Sequence, residues 1–251
     1  MNRAGQACDA DAVRVRKVVT SRAGGRSTGV FTSFNLSRGV GDDPSAVAAN
    51  RGRLVRELGL SGAVFLQQVH GTRVETVRGP APAPGAPDVP EADAVVTAEP
   101  GIGLVVLAAD CVPVLLSDPR AGVIGAAHAG RVGAAAGVVP ATLRAMVELG
   151  ARVEDVEVLL GPAVCGGCYE VPAEMRDEVG AALPGSGGRT RRGTPGIDVR
   201  AGLHRQLDMI GVRGVARDPR CTMEDPDLFS HRREGATGRQ AGVVWIDPSD
   251  G

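Results

Sequence analysis

Long apolar runs separated by short polar breaks dominate the middle of the chain. The stretch GLVVLAADCVPVLLSD (103–118) contains two such runs, and only Asp110 and Cys111 interrupt them. Continuous apolar runs of this length predict strands that are buried on both faces. A polar pair between buried strands costs free energy unless something uses it, so the pair marks a candidate site. We predict successive strands at 102–109, 112–117 and 122–128.

Helical patterns flank this block on both sides. The range 42–59 begins with an aspartate cap and has Pro44 near the first helical position, which predicts a helix ending at Gly59. A second helix is predicted at 131–149, where Pro140 must either kink the helix or mark a late beginning. Further helices are predicted near 172–182 and near 198–210. The remaining predicted strands are 13–21, 63–71, 153–162, near 212–217 and near 240–246.

Two segments have the composition of loops. The segment 79–93 contains five prolines, and the segment 184–196 is rich in glycine and arginine. Neither separates the chain into halves, and there are no internal repeats. The alternation of strands and helices therefore predicts one mixed α/β domain spanning 1–251, with residues 1–12 expected to be disordered.

Composition excludes several classes of partner. The chain is 43% apolar and has a formal net charge of −1. It therefore lacks the excess of positive charge that is typical of nucleic-acid-binding proteins. Aromatic residues, the usual platforms for stacking bases, make up only 2%. There is no signal-peptide pattern and no apolar segment of the ~18 residues that a membrane span needs. We expect a cytoplasmic monomer or weak dimer without a nucleic-acid or membrane partner.

Three soft-ligand residues stand where predicted strands end. They are His70 in LQQVHGT, Cys111 in AADCVP and His128 in GAAHAG. Two imidazoles and one thiolate suit zinc, and three protein ligands leave a fourth tetrahedral position open, as in catalytic sites. The competing interpretation is a set of ordinary core residues, because spacing alone does not prove that the three converge. A multicopper oxidase would need many imidazoles, and this chain has four histidines.

The five cysteines are odd in number and scattered, which predicts reduced thiols or metal ligands and no disulfide framework. CGGCYEVP (165–172) contains a CxxC motif, but a zinc ribbon would need a second such pair and none exists. We therefore interpret this stretch as a glycine-rich loop lining the site, with Cys165 and Cys168 reduced and dispensable for metal. The charged run at 221–242 is either a solvated face or a loop whose arginines bind an anionic group.

Ordered blocks over nearly the whole chain resemble the YfiH/YlmD-like family, also called laccase-domain or polyphenol oxidoreductase proteins. The blocks include QQVHGTRV (67–74), EADAVVT (91–97), LAADCVPVLL (107–116), AAHAG (126–130), GPAVCGGCYEVP (161–172) and CTMEDPDLFSHRREGATGRQAG (221–242). One departure is visible. The family usually follows its second histidine with AGWRG, whereas this chain has AGRVG, which removes the tryptophan and places arginine one position early, as Arg131.

The resemblance implies a fold, a metal and an activity. The fold is a four-layer α/β/β/α sandwich with mixed sheets, similar to the cysteine deamidase domains of some bacterial toxins. The metal is zinc at His70, Cys111 and His128, with copper as a less favoured option. The activity is phosphorolysis of adenosine, inosine and methylthioadenosine to base and sugar phosphate, with hydrolytic deamination of adenosine as a further activity.

The expected catalytic residues are the three metal ligands and Asp110, which either orients the site or acts as a base. The substrates would be a nucleoside and phosphate, and the candidate substrate-binding residues are Arg22, Asn35, Gln68, Arg232 and Arg233. Two alternatives stay open. One is a Cys–His amide hydrolase acting on peptidoglycan precursors, with Cys111 as nucleophile and His128 as base; the other is the polyphenol oxidase activity that the family name suggests. A further hypothesis is a non-catalytic protein that retains the fold.

Overall fold

Two mixed β-sheets lie face to face in the computed structural model, which describes residues 12–248. The order of the four-stranded sheet is β1 (Val15–Val19), β12 (Gln240–Ile246), β5 (Ile102–Ala108) and β2 (Gly62–Val64). The order of the six-stranded sheet is β11 (Gly214–Arg217), β8 (Glu157–Leu160), β6 (Val112–Asp118), β7 (Val123–Ala129), β4 (Ala94–Thr97) and β3 (Val74–Val77). A separate hairpin joins β9 (Gly187–Arg189) to β10 (Pro195–Ile197).

Helices cover the outer face of each sheet. The helix α1 (Pro44–Glu57) packs Leu54 against the four-stranded sheet, in a core that includes Leu107 and Trp245. The other sheet is covered by α2 (Arg131–Ala136), α3 (Val138–Glu148), α4 (Ala173–Ala182) and α5 (Val199–Ile210), and the short α6 (His231–Glu234) lies beyond them in sequence. A third core fills the space between the sheets. The predicted α/β/β/α arrangement is confirmed.

Several predicted elements have different bounds in the structure. The strand predicted at 63–71 ends at Val64, and the residues that follow form an irregular loop. The helix predicted at 131–149 is interrupted at Gly137, whose φ of 91° ends α2; Pro140 then lies in the first turn of α3, where its missing amide costs nothing. The segment 184–196 contains the β9–β10 hairpin, whose three-residue strands are too short for a clear period. The prediction of disorder for 1–12 falls, apart from Ala12, outside the described residues.

Strand register places the ends of three segments together. In the antiparallel pairing of β6 with β7, Pro113 lies opposite His128, and Ala94 of β4 lies opposite Ala127. Residues that immediately precede β4 and β6 therefore lie beside the end of β7. Among the described residues, no helix is long and apolar enough to cross a membrane.

Candidate metal centre and pocket

The three predicted soft ligands converge at this edge of the six-stranded sheet. His70, Cys111 and His128 each offer one ligand atom, and these atoms lie within 4.8 Å of one another. The distance from Cys111 Sγ to His70 Nε2 is 3.7 Å, and the two imidazole rings meet nearly edge to face with centroids 4.8 Å apart. His128 is buried, Cys111 is half-buried and His70 is exposed, so the cluster opens toward solvent on one side.

Asp93 holds both histidines in place, although its role was missed in the sequence. Its carboxylate accepts hydrogen bonds from the amides of Val69, His70 and Gly71 at 3.1, 2.9 and 2.7 Å. It also accepts a 2.8 Å hydrogen bond from His128 Nδ1, which leaves His128 Nε2 free to bind a ligand. The motif EADAVVT contains this residue, and an aspartate directly before an apolar run is the sequence signal that could have identified it; in the structure it is fully buried.

The local backbone is shaped to admit this arrangement. His70 has a φ of 62° and Asp110 a φ of 94°, both in the left-handed region that is uncommon for residues with a Cβ. Such conformations cost roughly 1–3 kcal/mol each and are concentrated at functional sites. Gly130 lies directly behind the cluster, where an added Cβ would be 2.6 Å from His70 Cδ2 and 2.9 Å from Cys111 Sγ. Only glycine fits there.

Electrostatic coupling favours a charged pair in the protein without metal. Burial would raise the pKa of the Cys111 thiol, but the charge and hydrogen bond of His128, with a contribution from His70, lower it to about 6. Burial would lower the pKa of His128, but the charge of Cys111 and the hydrogen bond to Asp93 raise it to about 9. Burial also opposes ionisation of Asp93, yet its hydrogen bonds from His128 and Gly71 keep its pKa below the usual range.

Asp110 is bound by residues of the segment 222–232. Its carboxylate accepts hydrogen bonds from Thr222 Oγ1 and Ser230 Oγ, both at 2.6 Å, and from the Arg232 amide at 2.7 Å. These contacts attach the turn that carries Cys111 to the 221–233 segment. They use most of the hydrogen-bonding capacity of the carboxylate, which favours a positioning role for Asp110 over the role of a base.

A cavity of about 820 Å³ opens above the cluster. This volume lies within the range of roughly 300–1,000 Å³ that is usual for small-molecule sites. Its lining includes His70, Cys111 and His128 together with Gln68, Tyr169 and four arginines, which are Arg38, Arg131, Arg232 and Arg239. A cavity with cations around two histidines and a thiol suits an anionic or polar small molecule.

Two of the five candidate substrate-binding residues line this cavity. They are Gln68, whose side-chain amide bonds both main-chain groups of Leu107, and Arg232, whose guanidinium lies 4.2 Å from the centre of the Tyr169 ring. The other three do not line it. Arg22 is paired with Glu234 at 2.6 Å, Asn35 is fully buried and bonds Asp42, and Arg233 donates to the carbonyls of Thr222, Asp225 and Leu228.

Arg131 is a cavity residue that the candidate set did not include. It is the first residue of α2 and stands where the sequence departs from AGWRG. Within residues 12–248, its guanidinium has no hydrogen-bond or ion-pair partner. By contrast, Arg38 contacts Asp88, and Arg239 donates to two neighbouring carbonyls. An uncommitted cation beside the cluster is the more suitable anion ligand of the three.

A second group of soft ligands lies outside the cavity lining. It contains Cys165, Cys168, Cys221 and Glu224, with one ligand atom from each within 4.8 Å of the others. The neighbouring residues Val164 and Tyr169 do line the cavity, but the cysteines of the CxxC motif do not, which corrects the interpretation of the motif itself as cavity lining. The four cysteines of the described segment are free thiols. Burial and the thiols of Cys165 and Cys221 raise the pKa of Cys168 to about 12.

Fold and site together define an α/β/β/α protein with a His–Cys–His group, of the kind that could hold a metal ion, in the lining of an open pocket. The family model described as "Multi-copper polyphenol oxidoreductase laccase" matches residues 16–247. The chain therefore belongs to this family, and its resemblance to YfiH/YlmD-like proteins is confirmed. Among solved structures, YlmD from Geobacillus stearothermophilus has a TM-score of 0.86 at 31% identity, covering 96% of this chain and 94% of that one.

Two curated relatives are similar over nearly their full length. A protein of Corynebacterium glutamicum named purine nucleoside phosphorylase is 56% identical over 234 residues, covering 92% of this chain and 94% of the relative. A protein of Mycobacterium tuberculosis with the same name is 54% identical over 237 residues, covering 94% and 93%. Enzymes with this name are thus among its relatives.

Proposed function

We propose that this protein is a zinc-dependent purine nucleoside phosphorylase that acts on adenosine, inosine and methylthioadenosine, with adenosine deamination as a further activity. The observation that carries the proposal is a cavity of about 820 Å³ whose lining contains both an open His–Cys–His group and Arg131, a guanidinium without a partner among residues 12–248. The names of the curated relatives supply the reaction, and the cavity supplies groups for each part of the substrate.

The donor set fits zinc. His70, Cys111 and His128 provide two imidazole nitrogens and one sulfur, which is a combination that zinc prefers and that leaves a position open to substrate. Asp93 fixes the His128 ring so that Nε2 points toward the cluster, as the outer carboxylate does in many zinc sites. When bound, zinc supplies a Lewis acid at the base of the cavity.

Arg131 is the best-placed residue to bind phosphate. Phosphorolysis replaces the bond from the sugar carbon to the base nitrogen with a bond to a phosphate oxygen, so phosphate must be held next to the sugar. A guanidinium binds phosphate oxygens through two parallel hydrogen bonds, and the Arg131 guanidinium is not committed to other described groups. Arg232 lies further round the same lining and is held by the Tyr169 ring and the Glu170 carbonyl.

The stacked pair of Arg232 and Tyr169 offers a planar surface for the purine. The guanidinium covers one face of the ring at 4.2 Å, and arginine planes stack on aromatic systems. The purine would then lie on one side of the cavity, with the sugar over the three ligands and phosphate near Arg131.

The test is product analysis with and without phosphate. The purified protein, with its zinc content measured, is incubated with each nucleoside and with phosphate labelled with oxygen-18. We expect base release that requires phosphate, and a sugar phosphate in which the bridging oxygen carries the label. Base release at the same rate without phosphate would indicate a hydrolase, and absence of turnover with all three nucleosides would contradict the proposal. Release of ammonia from adenosine tests the deaminase activity separately.

A second candidate function is an amide hydrolase. Cys111, His128 and Asp93 are arranged as thiol, imidazole and orienting carboxylate, and the pKa of Cys111 is lowered to about 6 in the protein without metal. In this reaction the thiolate would attack an amide carbonyl, His128 would protonate the leaving amine, and water would hydrolyse the thioester. A covalent adduct on Cys111 detected by mass spectrometry with peptidoglycan precursor peptides would favour this function over phosphorolysis.

A further inference from the structure

A second, closed metal site lies beside the first. We propose that Cys165, Cys168, Cys221 and Glu224 bind one zinc ion that has a structural role, separate from the His70–Cys111–His128 group. Three thiolates and one carboxylate form a complete tetrahedral set, whereas the first group has three ligands and an open position. The inference does not depend on the reaction that the protein catalyses.

The four ligands come from two matching turns. In the first, the amides of Cys168 and Tyr169 donate to the Cys165 carbonyl at 2.9 and 3.0 Å. In the second, the amides of Glu224 and Asp225 donate to the Cys221 carbonyl at 3.0 and 2.8 Å. The motifs CxxC and CxxE thus adopt the same hydrogen-bond pattern, which brings the first and fourth side chains of each turn to one side.

The two turns are held next to each other by main-chain contacts. Ala163 and Cys221 form a parallel β-bridge, and the Thr222 amide donates to the Ala163 carbonyl at 3.2 Å. The turn 165–168 is itself closely packed, because an added Cβ at Gly166 would lie 2.8 Å from Asp198 Cβ. Main-chain contacts therefore contribute to the pairing of the two motifs in addition to contacts of the four ligand side chains.

Distances within the group suit zinc. Zinc–sulfur bonds of about 2.3 Å in a tetrahedron place ligand atoms roughly 3.8 Å apart. Cys168 Sγ is 3.5 Å from Glu224 Oε1, and all four ligand atoms lie within 4.8 Å of one another. Small side-chain rotations are sufficient to close this set around an ion.

Two of the sulfurs already accept hydrogen bonds, as metal-bound thiolates do. The Cys165 amide donates to Cys221 Sγ at 3.3 Å, and Arg191 Nη1 donates to Cys168 Sγ at 3.4 Å. Arg191 also forms an ion pair with Glu224. Four anionic ligands around a divalent ion carry a net charge of −2, and a neighbouring guanidinium offsets part of this charge.

Zinc content and cobalt spectra of the full chain test the site. We expect two zinc ions per wild-type chain, one in Cys165→Ser/Cys168→Ser and one in the reciprocal control Cys111→Ser, which alters only the first group. Cobalt substituted for zinc gives sulfur-to-metal charge-transfer bands whose intensity rises with the number of thiolates. The bands should be strong in Cys111→Ser and weak in the double variant.

A second variant that conserves the three thiols tests the site even if the double variant misfolds. Glu224→Gln should bind zinc at the second site and release it faster to a chelator, while the three-thiolate cobalt bands persist. Unchanged zinc content in the double variant would overturn the proposal. So would a Cys165–Cys168 disulfide in wild-type protein purified anaerobically with zinc, because oxidised sulfurs do not bind the metal.

Discussion

The His70–Cys111–His128 group and the Cys165–Cys168–Cys221–Glu224 group both contain cysteine thiols, but they differ in their other ligands and in their surroundings. The first lies at the base of a cavity, includes a buried histidine bonded to Asp93, and leaves one coordination position free. The second lies outside the cavity lining, supplies four ligands from two turns, and joins segments that are far apart in sequence. Ligand number and access separate a site that can do chemistry from one that holds chain segments together.

Loss of one thiol from the first group should reduce activity, and loss of one thiol from the second should reduce stability. This is the largest difference that we expect between the two groups. Cys111→Ser should reduce nucleoside turnover by roughly 10²- to 10³-fold, the loss typical when one group that stabilises a transition state is removed. Its unfolding temperature should change little. Cys168→Ser should lower the unfolding temperature by several degrees, since about 1 kcal/mol corresponds to about 2–4 °C in a chain of this size.

Turnover and thermal unfolding of both variants measure this contrast. Cys111→Ser that keeps full zinc content but loses all turnover would favour the nucleophile function. If both variants lose only stability, the first group is structural as well and the distinction between the groups is wrong.

Asp93→Asn should lower both the zinc affinity of the first group and nucleoside turnover by roughly 10- to 100-fold. Losses of this size are typical when a carboxylate that hydrogen-bonds to a metal-binding histidine is changed. The amide cannot accept hydrogen bonds at both ends, so it cannot bind three backbone amides and the His128 ring at once. The zinc of the second group should be unaffected. Asp43→Asn is the matched control, because asparagine caps α1 as well as aspartate does.

Arg131→Ala should raise the KM for phosphate by about tenfold, the equivalent of a charged hydrogen bond of about 1.5 kcal/mol. The KM for the nucleoside should stay nearly constant, because the Arg232–Tyr169 surface is intact. Arg144→Ala removes a similar charge from the exposed face of α3 and should change neither constant. Equal increases in both constants would indicate that Arg131 does not bind phosphate selectively.

In metal-free protein, the thiols of the two groups should differ in their rate of alkylation. This is the smallest of the expected effects, because the comparison needs no substitution and leaves the fold unchanged. The pKa of Cys111 is lowered to about 6, so its alkylation rate should fall as pH decreases through 6 and be constant above it. The pKa of Cys168 is raised to about 12, so it should react slowly throughout the neutral range. Peptide mapping after iodoacetamide treatment at several pH values measures both rates, and added zinc should protect Cys111.

The strands with long apolar runs could be predicted from the sequence. The convergence of His70, Cys111 and His128 near strand ends could be predicted as well. The runs that flank Cys111 are buried on both faces, and burial of this kind leaves a pattern that does not depend on distant residues. The four-residue strands β3 and β4 were not predicted. Asp93 was missed as well, since its partners are amides of a loop more than twenty residues away.

Pairing of distant turns was the other feature that the sequence did not reveal. A search for a second CxxC fails here because the second turn supplies a cysteine and a glutamate, and its position depends on the bridge between Ala163 and Cys221. The substrate-binding candidates illustrate the same limit. Arg22 and Arg233 have the charge that phosphate binding needs. However, Arg22 is paired with Glu234 and Arg233 donates to loop carbonyls, and these contacts are visible only in three dimensions.

The contact between Asp93 and His128 also bears on how the six-stranded sheet assembles. The centre of β7 consists of Gly125, Ala126 and Ala127, and a displacement by one position would place an alanine where Gly125 packs, with its Cβ about 3.0 Å from Met146 Sδ. Such a slip would turn His128 to the opposite face of the sheet and leave the carboxylate of Asp93 buried without its imidazole partner. Asp93 would keep its three backbone hydrogen bonds but lose its charged partner, and breaking a buried ion pair costs about 3–5 kcal/mol. The polar pair thus adds to side-chain packing in fixing the register of β7.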